Sequence, residues 1–470
     1  MKIEQIYTGC LAQGAYYIHS NGEAVIIDPL REIDSYLQRA KTDGVKIKYV
    51  LETHFHADFV SGHVTLAQES GATIVYGPNA NPTFDAHIAE DGEILRIGNA
   101  TIQVMHTPGH TMESTTYLLR DENEKDVAIF TGDTLFLGDV GRPDLAQKAA
   151  TMTQEELAGI SFDSLRTKIM PLADDVIVYP GHGAGSACGK NMMKETVDTL
   201  GNQKAMNYAL RADMTRDEFI AEVTNGLMPP PAYFPLNVKL NKEGYRPIQE
   251  VLNQGLRPLS PAEFEAVANE TEALILDVRD PQDFEEGHIP NSIFIGINGN
   301  FAPWVGELII DITKNIILIA PEGREEEVVT RLSRVGFDNT LGYLNGGLAA
   351  WRAEGKEVGT VTSIAAKQLT SQYSEIQQRI FDVRKSGEYL SEHIENAHHT
   401  PLSSINDHLA EFPQSDAFYL HCASGYRSMV AASILKARGI HNLVNVRGGW
   451  EAIAATSIPK TDFVCPTTLN

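Results

Sequence analysis

The second half of this chain repeats itself, and that repeat constrains the fold more than any other feature. Leu274-Ile275-Leu276-Asp277-Val278-Arg279 matches Arg379-Ile380-Phe381-Asp382-Val383-Arg384. At the same offset His288-Ile289-Pro290-Asn291-Ser292 matches His393-Ile394-Glu395-Asn396-Ala397, and later Leu344-Asn345-Gly346-Gly347 matches Val446-Arg447-Gly448-Gly449. Each unit is about a hundred residues, the size of a whole domain and not of a solenoid repeat. Apolar strands alternate with helical stretches in both, the pattern of an α/β domain whose parallel sheet is covered on two faces. The 470 residues therefore divide into a first region, 1–235, a linker, 236–256, and two repeats, 257–360 and 361–470, joined near Gly359–Ser363. The proline-rich run Met228-Pro229-Pro230-Pro231-Ala232-Tyr233-Phe234-Pro235 closes the first region, because it suits neither a helix interior nor a central strand.

Composition excludes some partners. A formal net charge of −24 argues against nucleic acid and anionic membrane. No stretch is long and apolar enough to span a bilayer. Met1–Tyr7 reads as a strand, without the apolar core of a signal peptide. Four scattered cysteines, Cys10, Cys188, Cys422 and Cys465, make no disulfide framework, so a reduced, cytoplasmic protein is expected.

In the first region short apolar strands (Ala24–Ile27, Tyr49–Leu51, Thr73–Val75, Ile102–Met105, Val127–Thr131, Val176–Tyr179) alternate with turns and helical stretches. His and Asp residues collect just past strand ends. They lie in Thr53-His54-Phe55-His56-Ala57-Asp58-Phe59, His106-Thr107-Pro108-Gly109-His110, Thr131-Gly132-Asp133 and Tyr179-Pro180-Gly181-His182. One such histidine is usually structural, but four loops converging on one sheet edge can form an imidazole–carboxylate site for a borderline metal.

Together the loops resemble the metallo-β-lactamase superfamily, whose motif is H-x-H-x-D-H followed by His, Asp and His loops. The resemblance covers the whole first region and implies an αββα fold. The last histidine of the motif is Phe59 here. In the dinuclear hydrolases of the superfamily that position helps hold the second metal, and a phenyl ring cannot coordinate, so a mononuclear centre is expected. Within the superfamily, the 106–110 and 131–133 loops and Gly141-Arg142-Pro143-Asp144 resemble the persulfide dioxygenases. That resemblance implies one Fe(II) per chain on His54, His110 and Asp133, with positions left open for dioxygen and substrate. His56, Asp58 and His182 then orient ligands or waters. Arg142 and Asp144 fit a substrate role and a loop-bracing salt bridge equally well. Cys188, just beyond His182, can meet the substrate sulfur or serve as a small buried hydrophobe, the commoner fate of a lone cysteine.

In the second repeat the strand Phe418-Tyr419-Leu420-His421 runs into Cys422-Ala423-Ser424-Gly425-Tyr426-Arg427-Ser428, and a helix is predicted from Met429 to Arg438. Loop N–H groups, the helix dipole and Arg427 all favour an anionic sulfur on Cys422. The segment resembles the rhodanese active-site loop, C-x-x-G-x-R-S, with Asp382, Arg384, His393 and Gly448-Gly449 resembling the flanking motifs. The resemblance implies that Cys422 carries a sulfane sulfur as a persulfide. The first repeat reads Ala320-Pro321-Glu322-Gly323-Arg324-Glu325-Glu326 at the equivalent place. With no thiol, one N–H fewer and reversed charge, it is expected to be a spacer or docking surface.

The fold class expected is thus α/β: an αββα metallo-β-lactamase domain and two rhodanese-like domains with parallel sheets. The domain order resembles the bacterial persulfide dioxygenase–sulfurtransferase fusions. It implies oxidation of a low-molecular-weight thiol persulfide by O2 to sulfite, transfer of sulfur from Cys422 to give thiosulfate, sulfide detoxification, and assembly into a homo-oligomer. The alternative is a zinc thiolester hydrolase resembling glyoxalase II, fused to a rhodanese; Phe59 and the fusion argue against it. A sulfur relay whose metal domain only binds partners is disfavoured by the complete ligand loops.

Overall fold

A computed structural model of the chain describes residues 1–145, 152–227 and 229–465; Met228 of the proline-rich run lies outside them. Met1–Ile248 forms one compact unit together with Ser333–Gly336, and the rest of the second half forms another. No helix among the described residues is long and apolar enough to cross a membrane.

The first unit has four layers. Strands β1 (Lys2–Thr8), β2 (Gln13–Ser20), β3 (Glu23–Ile27), β4 (Lys46–Leu51), β5 (Thr73–Tyr76) and β6 (His87–Ile88) form one six-stranded sheet in that order. The second sheet takes β7 (Ile94–Ile97), β8 (Ala100–His106), β9 (Thr115–Arg120), β10 (Asp126–Gly132), β11 (Ile177–Pro180) and β12 (Asp198–Thr199), again in sequential order. Side chains alternate along each strand. Tyr16, Ile18, Val25 and Ile27 pack inward with Ile102, Val104, Tyr117 and Phe130 to make the core between the sheets. Their neighbours Ala15, Tyr17, Ala24 and Ile26 face outward, against Tyr36 and Ala40 of helix Asp34–Asp43 and Leu66 of helix His63–Ser70. Leu118 and Ile129 face the other way, against Phe219 and Val223 of helix Arg216–Thr224 and Leu200. The result is the αββα sandwich.

The stretch 236–256 is not a bare linker. Most of it is helical, in Phe234–Glu243 and Ile248–Gly255, with a proline in the first turn of the former, where its missing N–H costs nothing. Asn241 of that helix is fully buried; its amide donates to the carbonyls of His56 and Phe59 at 2.8 and 2.7 Å and accepts from Ser61 N–H at 2.8 Å. The helix therefore belongs to the scaffold of the His-rich loop.

The second unit holds two five-stranded, all-parallel sheets with one topology. The first runs β13 (Pro258–Leu259), β17 (Thr340–Leu344), β16 (Ile316–Ile319), β14 (Leu274–Asp277), β15 (Ile293–Phe294). The other runs β18 (Ser363–Ala365), β22 (Leu443–Arg447), β21 (Phe418–His421), β19 (Ile380–Asp382), β20 (His398–His399). The central strands, Ile316-Ile317-Leu318-Ile319 and Phe418-Tyr419-Leu420-His421, are buried throughout. Each points its C-terminal end at the diagnostic position, Ala320 in one domain and Cys422 in the other.

Candidate metal centre and cysteine loop

In the first unit, β3 leads into Asp28, β4 into 52–59, β8 into 106–110, β10 into Asp133 and β11 toward His182. Nε2 of His54 and of His110 lie 3.9 and 3.5 Å from Asp133 Oδ2, and all three side chains are buried. Their candidate ligand atoms all lie within 4.8 Å of one another. Such spacing suits donors arranged about one first-row metal at roughly 2.0–2.2 Å each. Asp133 Oδ2 has no hydrogen-bond partner, an arrangement that is costly for a buried carboxylate unless a cation meets it. The donor set thus fits a single iron or zinc ion.

The remaining polar atoms of these side chains fix their orientation. Thr53 Oγ1 donates to Asp28 Oδ2 at 2.8 Å, so at 3.0 Å it accepts from His54 Nδ1–H. His110 Nδ1–H donates to the Arg142 carbonyl at 2.9 Å. Both rings therefore turn an unprotonated Nε2 toward Asp133, the tautomer a metal requires. Burial, with His56 adding to it, holds the His54 pKa well below the ordinary imidazole value. Burial alone would raise the Asp133 carboxyl, but His182, and then His54 and His110, hold it well below the usual range.

His182 bridges two carboxylates, with Nδ1 2.8 Å from Asp133 Oδ1 and Nε2 2.8 Å from Asp58 Oδ2. Burial opposes its charge, yet Asp133 and Asp58 outweigh burial and raise its pKa well above the ordinary value. Asp58, His182 and Cys188 also lie close enough together to surround an ion, and Asp58 Oδ1 and His182 Nε2 have no hydrogen-bond partner. Phe59 is fully buried, its ring 4.4 Å from that of His56. His56 faces Asp28 Oδ1 at 3.1 Å and Glu52 Oε2 at 3.5 Å, its ring centroid 4.3 Å from that of His54. Burial, and then Asp28, push the Glu52 carboxyl up.

Arg142 makes a two-pronged ion pair with Asp144, at 2.6 and 2.7 Å, and its backbone N–H donates to the Cys188 carbonyl at 3.0 Å. The guanidinium thus braces the loop whose carbonyl orients His110. Cys188 is buried beside Asp58 and His182, and burial, with Asp133 and Asp58, pushes its thiol up. Gly141 packs where no side chain fits: a Cβ would lie 2.1 Å from the Asp133 carbonyl and 2.8 Å from His110 Nδ1.

In the second unit Cys422 is buried, and the Gly425 N–H donates to its Sγ at 3.1 Å. Gly425 has φ +109°, which an L side chain rarely adopts, and it opens the helix Tyr426–Ala437. The helix therefore starts three residues earlier than its apolar pattern predicts, so Tyr426 and Arg427 sit on its first turn. The N-terminus of the next helix, Gly449–Ala454, holds the loop from behind: Trp450 N–H donates to the Cys422 carbonyl at 2.6 Å and Glu451 N–H to that of Ala423 at 3.0 Å. Ser428 Oγ donates to Asn445 Oδ1 at 2.7 Å, while Ser424 is exposed. The Arg427 guanidinium pairs with both oxygens of Glu388, at 2.6 and 2.8 Å, and also interacts electrostatically with Cys422. In the sister domain Arg324 turns to Glu327 and to Asn298 Oδ1.

Residues 8–182 match the Metallo-beta-lactamase superfamily, and residues 260–354 and 365–456 each match the Rhodanese-like domain. Hydroxyacylglutathione hydrolase GloC of Haemophilus influenzae is 32% identical over 213 residues, covering 40% of this chain and 94% of that protein. The chain belongs to the metallo-β-lactamase superfamily. Two rhodanese-like domains follow its metallo-β-lactamase domain. The mitochondrial persulfide dioxygenase ETHE1 of Homo sapiens is 29% identical over 221 residues, 47% of this chain and 78% of that protein. A metallo-beta-lactamase crystal structure from Staphylococcus aureus subsp. aureus COL superposes with TM-score 0.64 at 31% identity, covering 73% of this chain and 98% of that one.

The residues that support the candidate ligands are marked unequally in the local sequence. Thr53 carries a signal, since it adjoins His54. Asp28 and Asn241 carry none, because the chain reaches the site from positions far apart in sequence. Glu388 is likewise invisible as the partner of Arg427, 39 residues away.

Proposed function

We propose that the metal domain uses one iron(II) and dioxygen to oxidise the terminal sulfur of a low-molecular-weight persulfide, and that Cys422 passes sulfane sulfur to the sulfite formed. The observation that carries this reading is Phe59, a buried ring 4.4 Å from that of His56. A phenyl ring cannot coordinate, so a second ion has one imidazole fewer than in the dinuclear hydrolases of the superfamily. Similarity to persulfide dioxygenase ETHE1 and the rhodanese-like domains on the same chain support the same reading.

Iron held by His54, His110 and Asp133 would supply the redox chemistry with dioxygen and leave positions open for the sulfur. Thr53 and the Arg142 carbonyl keep Nε2 of both imidazoles toward it, and His182 holds Asp133 by its other oxygen. The balance is R–S–S⁻ + O2 + H2O → R–SH + SO3²⁻ + H⁺. At the second centre sulfite attacks the outer sulfur of a Cys422 persulfide. The S–S bond breaks, its electron pair returns to Sγ, and thiosulfate leaves; the Gly425 N–H is placed to stabilise the thiolate. This reading places the enzyme in the cytoplasm as a homo-oligomer acting in sulfide detoxification. Its free cysteines suit a reducing compartment.

One observation favours a second reading: similarity to hydroxyacylglutathione hydrolase GloC supports a zinc centre cleaving thiolesters with a metal-activated water. Purified protein given a persulfide under air separates the two, with oxygen, sulfite, thiosulfate and metal content followed together. The oxidative reading expects iron and oxygen uptake; zinc with oxygen-independent thiolester cleavage refutes it. Cys422→Ser should keep oxygen uptake and release sulfite in place of thiosulfate, and undiminished thiosulfate from that variant refutes the division of labour.

A further inference from the structure

The rhodanese-like domain that lacks a cysteine has a use that its sequence conceals. Tyr426 follows Gly425 in the Cys422 loop and is the first residue of the helix behind it. Its hydroxyl donates to the Gly296 carbonyl of the cysteine-less domain at 2.7 Å. Its ring meets Phe294 of that domain edge-on, with centroids 5.8 Å apart. The socket is cut to the ring. A Cβ on Gly299 would lie 2.5 Å from Tyr426 Cζ, and one on Gly296 would lie 3.1 Å from Cε2. Two turns further along the same helix face, Ser433 Oγ accepts from the Phe294 N–H at 2.9 Å. Beyond the loop, Arg447 pairs with Glu285 of the cysteine-less domain.

These contacts fall on the element that presents the sulfur. The Gly425 N–H that reaches Cys422 Sγ belongs to the residue next to Tyr426. A tilt of the first helical turn would carry that N–H, and the register of the loop, away from Sγ. Burial pushes the Tyr426 phenol well above its ordinary range, so it remains a neutral donor to the carbonyl. The equivalent position of the cysteine-less domain is Arg324, which bonds to Asn298 and Glu327 of its own domain.

We propose that the cysteine-less domain is a positioning device for sulfur transfer: its Phe294–Gly299 segment grips Tyr426 and thereby sets the Cys422 loop in its transferring geometry. Tyr426 is a positioning residue here, acting through the loop and not on the substrate. The proposal rests on reading Cys422 as the sulfur carrier, and the test keeps the two apart.

The assay is thiosulfate:cyanide sulfur transfer by the full-length chain. Cys422 thiolate attacks the outer sulfur of thiosulfate and sulfite leaves with the bonding pair. Cyanide then takes the outer sulfur of the persulfide as thiocyanate and returns the thiolate. Tyr426→Phe removes one oxygen and should lower kcat roughly 10-fold, the scale of one buried hydrogen bond, with KM for thiosulfate within about twofold. Gly299→Val, in the other domain, should cost roughly 10- to 100-fold, the scale of a misplaced reacting group. In a Tyr426→Ala background Gly299→Val should cost nothing more, because the ring it collides with is gone. Wild-type kcat in folded Tyr426→Phe and Gly299→Val, or a Gly299→Val loss that persists undiminished without the ring, overturns the proposal. If Gly299→Val does not fold, Tyr426→Phe decides alone. Cys422→Ser is measured in parallel: full transfer by that variant defeats the underlying reading, whereas its loss beside intact positioning variants defeats only the positioning device.

Discussion

Replacing Thr53 by valine removes one oxygen from behind the metal site and leaves every candidate ligand in place. Thr53 Oγ1 donates to Asp28 Oδ2 and accepts from His54 Nδ1–H, both inside the protein. Asp28 keeps the Thr53 backbone N–H at 2.8 Å on its other oxygen and His56 beside it, so its loss is modest. His54 loses more. Its Nδ1–H becomes a buried donor without an acceptor, at about 1–3 kcal/mol, and the ring can escape that cost by moving its proton to Nε2. To bind a metal it must move the proton back and accept the orphan. Weaker metal binding by about 1.4–2.8 kcal/mol follows, which is 10- to 100-fold, the usual range for outer-shell losses. Competition of the variant against a chelator, with zinc or anaerobically with iron(II), measures it directly. Thr53→Ser keeps the oxygen and should bind within about threefold of wild type. A folded Thr53→Val with wild-type metal affinity would refute the tautomer argument.

Gly141→Ala forces a Cβ against the Asp133 carbonyl and His110 Nδ1; metal content after dialysis should fall, with a destabilisation of about 1–3 kcal/mol on denaturation. Glu388→Gln releases Arg427 from its ion pair, and KM for an anionic acceptor such as sulfite should drop several-fold in steady-state transfer assays. His288 is buried against Phe284, and burial lowers its pKa from 6.5 to about 4. It stays neutral in the folded chain while the unfolded chain takes up a proton. Its stability contribution is therefore intact above pH 6.5 and is lost as pH falls toward 4, by up to about 3 kcal/mol. His288→Asn should flatten the fall in denaturation midpoint between pH 7.5 and 5 relative to wild type; an unchanged slope refutes the assignment.

The alternation of residues 15–18 and 24–27 put one face of each strand on the inter-sheet core, as period-two patterning requires. Isoleucine runs such as 316–319 became central parallel strands. Fold class was legible for that reason: burial is written into local periodicity. Helix Tyr426–Ala437 starts ahead of its apolar pattern because Tyr426 and Arg427 break that pattern while the backbone already turns at Gly425. The stretch 236–256 looked like a linker because the use of Asn241, two hydrogen bonds to a loop some 180 residues earlier, leaves no local mark.

Residue identity alone indicates which groups can do chemistry: imidazoles and carboxylates at strand ends, a phenyl ring in place of the last imidazole of the motif, a thiol in one repeat and an alanine in the other. Those choices are chemical and survive any rearrangement of the chain. Protonation, tautomer and charge depend on distance and burial, which only folding supplies. Tertiary structure therefore decided that His182 stands between Asp58 and Asp133, that Thr53 aims His54, that Glu388 pairs with Arg427, and that a domain without a cysteine grips the loop of the domain that has one.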